Sequence, residues 1–218
     1  MSDKSRLYFV VDVLLNLVII VVLALLIRNF LISPFQVFGP SMCDTLNSVD
    51  GECISGKGEY IIVNEAIYQS FFGWRFSEPK AGDIIVFRPP NNDKDYYVKR
   101  IIGVPGDKIK IENGVVFKWD RSKFVNIDES GYLNSDNLNN TKNGVGSSNV
   151  YAVPKDRYFA MGDNRSHSTD SRNCFRSSFP STCTSDNENA FVPIESIRGK
   201  AWVVFWPPKS MRALSDPY

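Results

Sequence analysis

Three separated segments of this 218-residue chain carry side chains suited to acyl transfer. Gly39-Pro40-Ser41-Met42-Cys43-Asp44-Thr45-Leu46 places the Ser41 hydroxyl in a turn-forming run. On its own, a serine there reads as a turn residue. Tyr96 to Asp107 sets Lys99 among apolar strand residues, and alternation sends it to the face opposite Val98 and Arg100. On a half-buried strand it is a surface lysine. Buried, it loses hydration, its ammonium pKa falls by up to several units, and the neutral amine can take a serine proton. Tyr158 to Arg172 leaves a strand for a dense polar loop, whose aspartates and arginines could pair and hold Ser168 toward that amine. His167 is the sole histidine, so any serine–histidine or cysteine–histidine scheme must run through it. Cys43, Cys53, Cys174 and Cys183 form no CxxC pair, which argues against structural zinc. No metal or cofactor is expected.

The elements that must position these groups are a membrane anchor and a β domain. Leu7 to Ile27 is apolar except for Asp12 and Asn16, and at about 1.5 Å per residue it can cross a hydrocarbon core of roughly 30 Å. It has no polar face, and Lys4 and Arg6 precede it, which predicts a transmembrane helix with residues 1–6 in the cytoplasm. The run ends in Arg28-Asn29-Phe30-Leu31 rather than in small residues, so it is expected to stay attached. Asp12 is placed near the interface. Beyond Pro34, short β-branched and aromatic runs predict strands over Phe35–Phe38, Tyr60–Val63, Asp83–Phe87, Tyr96–Val104, Lys108–Ile111, Val115–Phe117, Arg157–Met161 and Ala201–Trp206. Glu112-Asn113-Gly114 reads as a tight hairpin, and 64–72 as a short helix. The fold class is therefore mostly β: one domain over 33–208, an insertion near 118–150, and a C-terminal tail at 209–218. The polar stretch Asn126–Asn149 is assigned to an exposed loop without chemistry. With 25 basic and 24 acidic residues and a net charge of +1, the chain has no electrostatic footprint for nucleic acid.

Together these segments resemble type I signal peptidases, the Ser/Lys leader peptidases of the S26 family, over about Phe30 to Trp206. Ser41-Met42 is followed by Asp44-Thr45-Leu46 where the family pattern has Pro-Thr-Leu. Gly82 to Pro89 resembles the strand before the base, Tyr97 to Asp107 the base segment, and Met161 to Arg172 the Gly-Asp-Asn-Arg-Ser segment. Phe191-Val192-Pro193 and Gly199-Lys200-Ala201 match the C-terminal segment. The resemblance implies a signal-peptidase-type β fold in which Ser41 attacks, Lys99 is the base and Ser168 orients the amine. Asp163, Asp170 and Arg172 match supporting positions, and the Ser41 N–H would supply one oxyanion donor. Val37, Phe38, Met42, Leu46 and Val98 would line pockets selecting small residues at −1 and −3. The implied partners are signal peptides of preproteins, membrane lipid and the secretion translocon.

Two departures stand out: Asp44 replaces the usual proline, and Gly39 offers no hydroxyl two residues before the nucleophile. Cys43 lies near Cys53 and Cys174 near Cys183, so in an oxidising space two local disulfides fit, beside other pairings and free thiols. Rival readings are His167 as base, a self-cleaving repressor with the same dyad, and a catalytically silent peptide-binding β domain. A repressor would need a DNA-binding module where this chain has its apolar run.

Overall fold

In the computed structural model, which describes residues 3–49, 52–71, 74–90, 92–144, 149–176, 183–214 and 217, the apolar run forms one helix, α1 (Asp3–Phe30). Its Tyr8–Leu25 stretch is long and apolar enough to cross a membrane, and none of it is buried against the rest of the protein. The helix runs past both ends of the expected 7–27 span, because the polar flanks continue the backbone hydrogen bonding that the apolar centre starts. Strand β1 (Ile32–Phe38) follows after a single residue, Leu31, whose carbonyl accepts the Glu65 N–H at 2.9 Å.

The remaining strands follow in chain order: β2 (Ser48–Val49), β3 (Glu52–Cys53), β4 (Lys57–Asn64), β5 (Ser70–Phe71), β6 (Trp74–Arg75), β7 (Ile84–Phe87), β8 (Tyr97–Gly103) and β9 (Lys108–Glu112). Then come β10 (Val115–Asp120), β11 (Lys123–Asn126), β12 (Val150–Ala152), β13 (Arg157–Met161), β14 (Val192–Pro193), β15 (Ile197–Trp206) and β16 (Arg212–Ala213). The main antiparallel sheet runs β1-β4-β15-β7-β8-β13-β14, with β16 added beside β15. A second sheet runs β11-β10-β9-β12. β1 tolerates Pro34 because it is an edge strand and leaves one side unpaired.

β7 shows how the sequence builds the centre. All four of its residues are buried, yet their side chains alternate between two clusters. Ile84 and Val86 join Val37, Met42, Leu46, Ile61 and Val204. Ile85 and Phe87 join Ile101, Tyr158, Ala160 and Phe175. The expected hairpin is present: Val115 pairs with Glu112, and Asn113 (φ 51°) and Gly114 (φ 86°) supply the two left-handed residues such a turn requires.

Three expectations change. The helix over 64–72 is a single 3-10 turn, Ala66–Tyr68, followed by the β5–β6 hairpin; Phe72 lies outside the described residues. Within the 118–150 insertion, of which 145–148 lie outside the described residues, β10 and β11 form a hairpin and β12 joins β9. The loop after β11 is anchored, with Glu129, Leu133, Asn137 and Thr141 all buried. The C-terminal segment is tied to the domain as well. β16 pairs with β15, and Arg212 grips Glu59 at 2.7 and 2.9 Å and donates to the Thr45 carbonyl at 2.6 Å.

Candidate active site

The turn that carries Ser41 leaves β1 at Gly39, whose φ of 78° is open to glycine and strained for other residues. Hydrogen bonds from Cys43 N to Pro40 O (3.0 Å) and from Leu46 N to Met42 O (2.6 Å) close the turn around Ser41. Asn47 braces it from one side, donating through Nδ2 to Val37 O and Gly39 O and exchanging bonds of 2.8 Å with Glu59. A Cys43–Cys53 disulfide closes the loop behind the turn, and a Cys174–Cys183 disulfide closes the one behind the polar segment.

β8 is buried along most of its length, so Lys99 is not a surface lysine; only 3% of it is exposed. Its Nζ lies 2.7 Å from Ser41 Oγ and 2.8 Å from Val98 O, within 5.4 Å of the Tyr97 ring centroid. Among the described residues no carboxylate comes within ion-pair range of it. Burial lowers the Lys99 ammonium to about 8; Asp170 and Asp163 act the other way without offsetting it, and Arg172 adds to the lowering.

The third segment reaches the site through close backbone approach. Asn164 N donates to Ser41 O at 3.1 Å. A Cβ on Gly162 would stand 2.2 Å from Ser168 Oγ and 2.3 Å from Ser41 O, so only glycine fits there. Arg172 holds Asp170 through Nε (2.9 Å), Nη2 (2.8 Å) and its backbone N–H (3.1 Å), and the Gly162 N–H adds a bond of 3.0 Å. Burial pushes the Asp170 carboxyl up, but the Arg172 charge, these bonds and the nearby Ser168 hydroxyl outweigh it and hold the pKa below the usual range. Asp163 receives Arg100 in bidentate fashion (2.9 and 2.7 Å) and Thr45 Oγ1 at 2.5 Å.

The structure places Ser41, Lys99, Asp163, Asp170 and Arg172 close to one another. Ser168 is half-buried near them with its Oγ turned out of solvent, but that Oγ makes no hydrogen bond of ordinary geometry, and Val98 O occupies the second position at Nζ. Sequence reasoning missed Arg100, which adjoins Lys99 and bonds to Asp163 and to Gly82 O (2.8 Å). It also missed the brace of Asn47, Glu59 and Arg212, whose members are far apart in sequence.

A groove of about 740 Å³ opens over the pair, lined among others by Val37, Phe38, Ser41, Val98, Lys99 and His167. Met42 and Leu46, expected in the pocket walls, are 1% and 0% exposed and pack in the core beneath it. The tight turn rotates them inward, away from the face that carries Ser41. No cluster of metal-binding side chains occurs among the described residues.

A serine hydroxyl met by a buried amine beneath an open groove is an arrangement suited to acyl transfer. The family described as signal peptidase, peptidase S26, matches residues 10–206 of this chain. Signal peptidase I P of Bacillus subtilis subsp. natto is 37% identical over 188 residues, covering 84% of this chain and 88% of that protein. Signal peptidase I of Rickettsia akari is 32% identical over 223 residues, covering 87% and 77%. A solved signal peptidase I from Enterococcus faecalis is 26% identical, with a TM-score of 0.38, and covers 57% of this chain and 97% of that one. The chain belongs to the signal peptidase family, peptidase S26, and is a serine peptidase acting on signal peptides.

Proposed function

We propose that the protein is a membrane-anchored endopeptidase that removes N-terminal signal peptides by a Ser41/Lys99 acyl-enzyme mechanism. The observation that carries this reading is the 2.7 Å approach of a buried Lys99, its pKa lowered to about 8, to Ser41 Oγ. In its neutral form the amine accepts the Ser41 proton as Oγ attacks the scissile carbonyl, then returns it to the leaving amine; water, deprotonated by the same amine, releases the acyl group. The Ser41 N–H, unpartnered among the described residues, is one donor to the oxyanion. Ser168 Oγ, buried and unsatisfied, is the group available to steady Nζ as its protonation changes.

The substrate strand lies in the groove between the free edge of β1 and the Tyr97–Val98 end of β8, where β13 does not pair. Val37, Phe38, Val86 and Val98 form its apolar walls, and this narrow lining selects small side chains at −1 and −3. α1 spans the bilayer with its N-terminus in the cytoplasm. At about 3.3 Å per residue, the chain from Ile32 to Ser41 keeps the nucleophile within about 30 Å of the membrane. Tethering enzyme and preprotein to one membrane raises their effective concentration.

Mixing detergent-solubilised protein with a labelled preprotein tests the reading. Cleavage at one site is expected, with Ser41→Ala and Lys99→Ala each reducing kcat by about 10³-fold or more while the protein stays folded. Full activity in Lys99→Ala would overturn the dyad.

A further inference from the structure

The loop between β11 and β12 looks like solvated polar chain in the sequence, yet its residues 129–141 touch all three segments of the site. Asp44, in the nucleophile turn, accepts the Asn134 N–H at 2.9 Å, and both its oxygens accept Asn137 Nδ2 at 3.1 Å. Asn137 Oδ1 accepts the Ser166 N–H at 3.4 Å, so one buried amide bridges the nucleophile turn and the polar segment. Glu129 pairs with Arg165, which also donates to Thr141 Oγ1 at 2.6 Å. The Tyr132 ring lies 4.1 Å from the Arg100 guanidinium, next to the base in β8.

We propose that this loop is a clasp fixing Ser41 against Lys99, with Asp44 and Asn137 as positioning residues; the proposal rests on the Ser41/Lys99 reading above. The nucleophile turn needs restraint on this side. Asn47, Glu59 and Arg212 hold its other side, and beyond Pro40 no proline stiffens the turn from Ser41 to Leu46. Asp44 instead accepts from two amides of the loop, and the clasp restrains the turn through these charge-assisted bonds. None of the loop's residues lines the groove, so the effect reaches the reaction through Ser41 and not through substrate contact. Displacing a reacting atom by about 1 Å can cost up to about 10²-fold in rate.

The test is steady-state cleavage of a labelled preprotein by the full chain in detergent, comparing Asp44→Ala, Asn137→Ala, their double variant and Asp44→Asn. Each alanine variant is expected to lower kcat about tenfold with KM changed by less than about twofold. The double variant is expected to be no worse than the weaker single, and Asp44→Asn, which keeps one acceptor, to recover part of the loss. A kcat within about twofold of wild type in folded Asn137→Ala overturns the clasp, as does a loss carried by KM or multiplied in the double variant. If Asp44→Ala does not fold, Asn137→Ala decides alone. Ser41→Ala runs alongside: residual cleavage there overturns the underlying dyad, whereas an inert Ser41→Ala with an unaffected Asn137→Ala overturns only the clasp.

Discussion

Lys99 and Arg100 are consecutive cations on β8, 3% and 1% exposed, and they meet opposite treatment. Arg100 is fully compensated. Asp163 takes two of its N–H groups, Gly82 O takes another at 2.8 Å, Thr45 Oγ1 accepts from Nη2 at 3.1 Å, and Tyr132 covers its face. Lys99 has a carbonyl and the Ser41 hydroxyl, with Asp170 spoken for by Arg172. Burial with a matched carboxylate makes a structural tie. Burial without one suits a group to the role of base proposed above, because the desolvation cost falls on the charged form of a group that is able to lose its proton. Arginine cannot take the second role at all, which is why the order of the two residues matters.

Substitutions that disturb either neighbour sharpen this contrast. The largest change is expected from Arg100→Met, which strands Asp163 as an uncompensated buried carboxylate. It should lose about 3–5 kcal/mol in denaturant unfolding, and an effect under about 1 kcal/mol would show that the pair holds nothing. Lys99→Met should go the other way, gaining about 2–3 kcal/mol at pH 7 by removing a charge whose folded pKa is about 8 against an ordinary 10.5. The sign follows from proton uptake. Below pH 8 both states carry the charge and the folded protein bears the full cost; between 8 and 10.5 only the unfolded state stays protonated, so the cost shrinks and then vanishes. The gain in Lys99→Met should therefore fade over that window, and a gain independent of pH would place its origin in packing alone. His167→Ala, which removes a groove residue whose ring has no hydrogen-bond partner among the described residues, is expected to change kcat by less than about threefold.

The strand core was readable because its signal is local. Arg157–Met161 is the expected strand residue for residue, β7 and β9 differ from expectation by one residue at one end, and β8 by one residue at each end. β-branched alternation and the Asn113-Gly114 turn carry that information within a few positions. Ser41, Lys99 and the Asp170–Arg172 pair were legible through their segments and their order. Met42 and Leu46 were misplaced because the turn geometry that points them inward is set by Asn47 and Glu59, which no periodicity reveals. The clasp was invisible for a related reason. Asn134, Asn137 and Glu129 have the composition of a solvated loop, and only their distant partners Asp44 and Arg165 make them structural. Arg212 was hidden in the same way, in a segment that reads as a tail.

The central claim, that a neutral Lys99 activates Ser41, is tested most directly by the pH dependence of kcat/KM in the full chain and in His167→Ala. This profile reports the free enzyme's essential base. The account predicts a limb that rises with pH through about 8, where the buried amine loses its proton, with the same midpoint in both proteins. A limb that disappears or moves in His167→Ala, or a Lys99→Met enzyme that keeps its activity, would contradict it.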